Sequence, residues 1–127
     1  DLDAAIELAE EIKRLRKEYP VQINTMATGF PGCFSACTIV FTAGERRISK
    51  KDIVFGFHSP SATKKDEIPL IPEYRKTWSN YVSSVDPELA TYLDEVEAFQ
   101  KLKFTPLRAQ DLLTGYVTEL LGTQFYR

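Results

Sequence analysis

Apolar residues near the start of the chain recur at helical spacing. They form one stripe consisting of Ala5, Leu8, Ala9, Ile12 and Leu15. The positions between them are mostly charged, so the pattern predicts an amphipathic helix over residues 3–18. Asp1 or Asp3 can cap the start of this helix, and Pro20 ends it.

The next segment predicts short elements of alternating type. Val21 to Met26 is typical of a strand, and Thr28 to Gly32 is typical of a turn-forming link. A short buried helix is expected from Ser35 to Ala43, ended by Gly44, and a second buried strand from Ile53 to His58. The order helix, strand, helix, strand favours an α/β layer with parallel pairing.

The second half of the chain is predicted to be largely helical. The polar, proline-containing residues 59–69 are expected to form a mobile surface loop. Two helices are predicted at 71–84 and 87–101. A further short helix is expected from Thr105 to Gly115, and a final strand at 116–118. No internal repeat or interdomain linker is visible in the sequence.

Composition narrows the class of protein. The chain has 127 residues, 43% of them hydrophobic and 27% charged, as expected of one globular domain. A net charge of −2 without a long basic run argues against binding nucleic acid. No apolar run reaches the length of a membrane helix, and no signal peptide is visible. Because the chain opens with Asp1, we expect a processed or trimmed piece. The alternative that an export signal has been removed stays open.

The chain holds two cysteines, which are too few for a disulfide framework. On a helix, Cys33 and Cys37 would share one face. We expect two small side chains packed beside a turn, since pairing would need strained geometry. Nearby residues supply too few further ligands for a metal, so neither a metal nor a cofactor is expected.

Two residues are candidates for acyl-transfer chemistry. Ser35 is predicted at a strand-to-helix turn, and His58, the only histidine, at the end of the next strand. A serine hydroxyl becomes a good nucleophile when a base takes its proton, and imidazole suits that task near neutral pH. The N–H of Ala36 would lie where a helix N-terminus can face an oxyanion.

Each candidate also has an ordinary structural explanation. Serine is a preferred helix cap, and a single histidine can be a hydrogen-bonded residue at a strand end. The pair is more informative, because a helix that connects parallel strands returns the chain to the same edge of the sheet. Ser35 and His58 are therefore predicted to lie at the same edge of the sheet.

Three short motifs resemble those of the Clp-type serine peptidases and their extracytoplasmic bacterial relatives. They are Ser35-Ala36, the run Ala43-Gly44-Glu45-Arg46-Arg47, and the run Gly56-Phe57-His58-Ser59-Pro60. The opening helix and the closing run from Thr105 to Thr118 are also similar to family segments, so the resemblance spans most of the chain. Signal peptide peptidase A and related membrane proteases share the Ser-Ala start but use a lysine base, so His58 favours the Clp-like branch.

The resemblance implies both a fold and an activity. The fold is an α/β, Clp/crotonase-like spiral of parallel strands with flanking helices, in a single domain over residues 1–127. The activity is that of a serine peptidase-like hydrolase, with Ser35 as nucleophile, His58 as general base and the Ala36 N–H as one oxyanion donor. The family's N-terminal strand and Gly-Gly loop, with the second donor, are expected before Asp1.

Partners and compartment are implied in the same way. A peptide or protein substrate, a homo-oligomer and a periplasmic or otherwise extracytoplasmic bacterial location are expected. No nucleic-acid partner is expected, and any membrane or secreted protein partner is unknown.

The third catalytic position and the rival functions stay open. The family's triad aspartate would fall shortly before Thr105, where residues 99–104 hold no carboxylate. Four acidic residues elsewhere in the chain are candidates for this position: Asp94, Glu95 and Glu97 upstream, and Asp111 downstream. A catalytically inactive interaction or assembly module is the alternative function. A crotonase-like acyl-coenzyme A enzyme is a third.

Two further groups of residues each allow more than one role. Arg46 and Arg47 could pair with substrate carboxylates or a neighbouring subunit, or cap the end of a helix. The aromatic residues could line a substrate groove, although packing in the core is favoured for most of them. This group comprises Phe55, Phe57, Tyr74, Trp78 and Tyr81.

Overall fold

The computed structural model of the chain describes residues 2–29, 32–58, 72–101 and 103–121. The predicted loop at 59–69 lies outside the described residues. The helices are α1 (Leu2–Glu18), α2 (Ala36–Phe41), α3 (Pro72–Val85) and α4 (Pro87–Glu95). The strands are β1 (Thr25–Ala27), β2 (Gly32–Phe34), β3 (Arg47–Ser49), β4 (Val54–Phe57), β5 (Thr105–Arg108) and β6 (Glu119–Leu120). Two 3₁₀ turns occupy Ala98–Gln100 and Ala109–Leu112.

The strands form two small sheets, with orders β1-β3-β6 and β2-β4-β5. The first four strands alternate between the sheets, so the chain winds as a spiral that adds one strand to each sheet per turn. The pairs β1–β3, β2–β4 and β3–β6 are parallel, whereas β4–β5 is antiparallel. The predicted α/β class with parallel strands and flanking helices is confirmed, with two sheets in place of one layer.

Strand β2 lies next to the segment that was predicted to be a turn. Gly32 begins it and packs so closely on β4 that a Cβ atom there would lie 2.0 Å from the carbonyl oxygen of Val54. Glycine was interpreted as a turn residue, but here it permits the close approach of two backbones. Strand β3 was also missed, because three residues are too few to show an alternating pattern. Of the predicted strand from Val21 to Met26, only the end is paired, since β1 begins at Thr25.

The predicted helix from Thr105 to Gly115 is wrong. Its first residues form β5, in which Pro106 is opposite Gly56 of β4, and a 3₁₀ turn follows. A residue before proline favours extended backbone, and proline is tolerated in an edge strand such as β5. The last strand, β6, accordingly lies slightly later than predicted, at Glu119–Leu120.

The predicted helix at 87–101 ends early, at Glu95. Glu97 takes a left-handed conformation with φ of 55°, which breaks the helix before the 3₁₀ turn. Helix α1, by contrast, matches its prediction, and it buries Ala5 and Ala9. Leu8, placed in the same apolar stripe, is 50% exposed.

The core contains a cluster of contacting aromatic rings. Phe55, Phe57 and Trp78 are fully buried, which confirms the packing role favoured for them. The other two aromatic candidates, Tyr74 and Tyr81, are half-buried, and their hydroxyls donate to carboxylates of α1. No helix in the described part of the chain is long and apolar enough to span a membrane.

The arginine pair after α2 joins distant parts of the chain. Arg47 donates to the carbonyl oxygens of Gly44 and Gly115, each at 2.8 Å, and of Tyr116 at 2.9 Å. Burial lowers the pKa of Arg47, and the charge of the nearby Arg16 lowers it further. Arg46 forms an exposed ion pair with Glu119. Among the open alternatives, Arg47 thus links the turn after α2 to the end of the closing run, at Gly115 and Tyr116.

Candidate active site

Ser35 occupies a strained turn between β2 and α2. Its φ of 57° and ψ of −123° are rare for a residue with a side chain. Such a conformation costs about 1–3 kcal/mol and persists only where the surroundings enforce it. The Ser35 side chain makes no capping hydrogen bond to α2. Ser35 therefore occupies the N-cap position of α2, as the ordinary explanation expects, but its hydroxyl does not cap the helix and contacts His58 instead.

His58 lies against the hydroxyl of Ser35. The Nε2 atom of the imidazole is 2.9 Å from the Ser35 Oγ atom. The contact follows from the sheet, because β2 and β4 are parallel with Phe34 opposite Gly56, and the two site residues directly follow these strands. The Ser35 N–H also donates to the Gly56 carbonyl at 3.0 Å, which fixes the turn on the neighbouring strand.

Two aromatic rings form the walls around the imidazole. The ring of Trp78 is edge-on to His58 at 5.6 Å between centroids, and the ring of Phe104 lies at 4.5 Å. Phe104 in turn packs edge-on against Phe34 at 5.3 Å. These contacts restrict the imidazole to orientations in which one ring nitrogen faces Ser35. In the tautomer with an unprotonated Nε2, the hydroxyl donates to that atom.

A buried hydrogen-bond network, centred on Thr38, holds the turn at Ser35. Both the N–H and the hydroxyl of Thr38 donate to the Ser35 carbonyl oxygen, at 2.9 Å and 2.6 Å. The indole N–H of Trp78 donates to the Thr38 hydroxyl at 2.9 Å, and the Tyr116 hydroxyl donates to the Thr38 carbonyl at 2.6 Å. Burial raises the pKa of Tyr116 well above its ordinary value, so its phenol stays a donor. Sequence reasoning missed Thr38, although its position three residues after Ser35 is a usable signal.

Replacing Thr38 by valine tests this network. Valine keeps the shape but removes the hydroxyl, which leaves the buried Trp78 N–H and one lone pair of the Ser35 carbonyl unpaired. We expect a loss of about 1–3 kcal/mol in the free energy of unfolding, measured by urea denaturation. We also expect Ser35 to react with a fluorophosphonate about 10-fold more slowly, because its turn is less well held.

Thr42→Val is the matched control. Thr42 is buried at the opposite, C-terminal end of the same helix, where its hydroxyl donates to the Ile39 carbonyl at 2.7 Å. It should lose stability but retain the reaction rate at Ser35. Equal loss of rate in both variants would contradict a specific role of Thr38.

Ala36 follows the strained serine as the first residue of α2. The first N–H groups of a helix have no acceptor within it, so this N–H is placed to face a ligand beside Ser35. Its role as an oxyanion donor stays a prediction.

The described residues leave the third catalytic position open. The contacts described for the His58 ring are with Ser35, Trp78 and Phe104. They include none of the four acidic candidates, which lie at the end of α4 and just after it, or in the 3₁₀ turn after β5. The third position remains open.

The two cysteines form a disulfide, so the expectation of two separate packed thiols is wrong. Cys33 lies in β2 and Cys37 in α2, and their Cα atoms are 5.3 Å apart. They do not share a helix, because the strand-to-helix turn between them brings the two positions together. Cys33 is 2% exposed, whereas Cys37 is exposed. Within the described ranges, no group of three or more His, Cys, Asp or Glu residues could hold a metal ion.

Comparisons with known proteins give structural relatives only. No protein-family model and no curated protein matches the chain. A peptidase from Plasmodium falciparum superposes with a TM-score of 0.64 at 13% identity, covering 97% of this chain and 67% of the peptidase. A structure described as that of an enzyme gives 0.63 at 12% identity, covering 96% and 68%. Human enoyl-coenzyme A hydratase domain-containing protein 3 gives 0.55 at 14% identity, covering 91% and 40%.

These likenesses identify the fold. At 12–14% identity they carry no information about residue roles. A peptidase and a hydratase-domain protein both superpose on the wound two-sheet architecture of this chain. The predicted α/β, Clp/crotonase-like spiral of parallel strands with flanking helices is therefore confirmed as the fold of this chain.

Proposed function

We propose that the chain is a serine peptidase-like hydrolase that acts on peptide bonds through an acyl-enzyme. The observation that carries the proposal is the 2.9 Å contact between Ser35 Oγ and His58 Nε2. Ser35 is the nucleophile, His58 is the general base, and the N–H of Ala36 is one oxyanion donor. The strained turn supports this assignment, because such strain clusters at functional sites.

The reaction proceeds in two halves. As Ser35 Oγ attacks the peptide carbonyl, its proton passes to Nε2, and the Ala36 N–H stabilises the negative oxygen that forms. The imidazolium then gives this proton to the leaving amine, and the acyl-enzyme remains. A water molecule, deprotonated by the neutral imidazole, hydrolyses the ester and restores the serine.

The rival functions fit the site less well. An acyl-coenzyme A enzyme of this fold would rely on backbone donors and would not need a serine held against a histidine. An inactive assembly module would gain nothing from the strain at Ser35.

The partners and the compartment belong to the same proposal. They are a peptide or protein substrate, further copies of this chain, and an extracytoplasmic location. The disulfide supports that location, because such bridges persist in oxidising compartments.

Covalent labelling tests the proposal. The oxidised, full-length protein is incubated with a fluorophosphonate, and the adduct is located by mass spectrometry of proteolytic fragments. We expect one adduct per chain, on Ser35, and none after the protein is unfolded in urea, because the hydroxyl is reactive only beside its base. A folded, oxidised protein without an adduct on Ser35 would contradict the hydrolase and leave the assembly module as the better explanation.

A further inference from the structure

The disulfide encloses the residue proposed as the nucleophile. Cys33 precedes Ser35 by two residues and Cys37 follows it by two, so the bridge closes a ring with Ser35 at its centre. One end of the ring is anchored in β2, where Cys33 is paired with Phe55 of β4. The other end lies in the first turn of α2. The bridge therefore fixes the helix to the strand across the turn that carries Ser35.

Without the bridge, hydrogen bonds and the packing of α2 in the core would hold that turn. The Ser35 N–H is bonded to Gly56, and the Ser35 carbonyl accepts from Thr38. These bonds restrain the peptide groups on either side, whereas the strain resides in the φ and ψ angles of Ser35 itself. A covalent link between the flanking residues restricts both angles at once.

The size of the ring indicates a local role. The two cysteines are separated by four positions, and so short a loop restricts the unfolded chain less than a long loop would. The Cys37 side of the bridge is exposed, while Cys33 is buried. The bridge is accordingly placed to shape one turn and to be reached from solvent.

We propose that the Cys33–Cys37 disulfide is the positioning device that holds Ser35 against His58, so that acylation of Ser35 depends on the oxidised state of the bridge. This inference rests on the proposed hydrolase function and adds redox control to it. Reduction releases α2 from β2, Ser35 relaxes from its strained conformation, and the distance from Oγ to Nε2 increases. Reoxidation restores the contact.

The redox step needs a dithiol reductant. Its thiolate attacks the sulfur of the exposed Cys37, which forms a mixed disulfide and releases Cys33 as a thiolate that takes up a proton. The second thiol of the reductant then attacks the mixed disulfide, releases Cys37 as a thiol and closes the reductant into its own disulfide. Two electrons and two protons pass to the protein.

The experiment compares three samples of the full-length protein: oxidised, reduced with a dithiol, and reduced then reoxidised. The rate of Ser35 labelling is measured over a series of fluorophosphonate concentrations. We expect reduction to lower the maximal rate about 100-fold, because a displacement of about 1 Å has an effect of that size. The probe concentration at half-maximal rate should stay unchanged, and reoxidation should restore the rate. Circular dichroism verifies that the reduced sample is folded.

Cys37→Ala provides the second variant. The chain holds only two cysteines, so this protein cannot form the bridge, and alanine is well tolerated at an exposed helical position. It should label at the slow rate of the reduced protein and be unaffected by the dithiol. Equal rates for the oxidised and reduced wild type would overturn the positioning role while the hydrolase stands. Absence of labelling in the oxidised sample would overturn the hydrolase itself, and with it this inference.

Discussion

Replacing His58 by glutamine is expected to slow the reaction of Ser35 with a fluorophosphonate on the order of 10³-fold. Glutamine fills much of the same space and can still hydrogen-bond to the hydroxyl, but it cannot accept the proton. The neighbouring Trp78 and Phe104 rings keep their packing partner. The loss therefore measures general-base catalysis, and labelling kinetics followed by mass spectrometry report it.

The pH dependence separates the base from a merely structural residue. In the wild type, labelling should become faster as pH rises through the range in which imidazole groups lose their proton, because only the neutral form accepts a proton. In His58→Gln this rise should disappear. Ser35→Ala serves as the control for the site and should give no adduct. A glutamine variant that reacts at the wild-type rate would show that another group activates Ser35.

Replacing Asp86 by alanine should have the largest effect on stability. Asp86 is 1% exposed and caps α4, where its Oδ1 atom accepts from the Leu89 N–H at 3.1 Å. Its Oδ2 atom accepts from the Thr114 hydroxyl at 2.6 Å and from the Tyr116 N–H at 3.2 Å. Alanine removes the cap and leaves buried donors unpaired. We expect the free energy of unfolding to fall by about 3–5 kcal/mol, measured by urea denaturation.

Two variants calibrate that result. Asp86→Asn keeps one oxygen for the cap but offers donors where Oδ2 accepts, so its loss should be intermediate. Asp111→Ala changes an exposed aspartate and should leave stability within about 0.5 kcal/mol. At temperatures where Asp86→Ala is folded, Ser35 should still be labelled. A stable Asp86→Ala protein would mean that α4 and the closing run from Thr105 to Thr118 do not depend on this carboxylate.

Elements with a clear helical period could be predicted from the sequence. α1 and α3 have nearly their predicted ends, since their apolar faces persist over several turns. Strand β5 was predicted as a helix, because a four-residue edge strand containing Pro106 owes its structure to pairing with β4. Such pairing depends on residues far away in the chain, and local pattern does not show it.

The sequence argument predicted that Ser35 and His58 lie close together, but it assigned the wrong strand to the position before Ser35. The inference used a strand over residues 21–26, whereas the strand that carries Ser35 to the shared edge is β2. The argument survived because the residue after any strand parallel to β4 arrives at the same edge. Only the coordinates could identify which strand this was.

The residues that hold the site could not be found from spacing alone. Trp78 lies 40 positions from Thr38 in sequence, and its indole reaches that hydroxyl only because α3 packs over α2. The disulfide was judged unfavourable on the assumption that both cysteines share a helix. Their pairing depends on the sharp reversal at Ser35, which a polar–apolar pattern does not encode.

The edge-on contact between Trp78 and His58 has a practical consequence. The chain has one tryptophan and one histidine, and these two rings lie 5.6 Å apart. Indole emission is sensitive to a nearby positive charge and to polarity. When excitation is limited to wavelengths that indole absorbs and tyrosine does not, the emission therefore comes from a single chromophore beside the reacting groups, and proton uptake or ligand entry can be followed optically without attaching a dye.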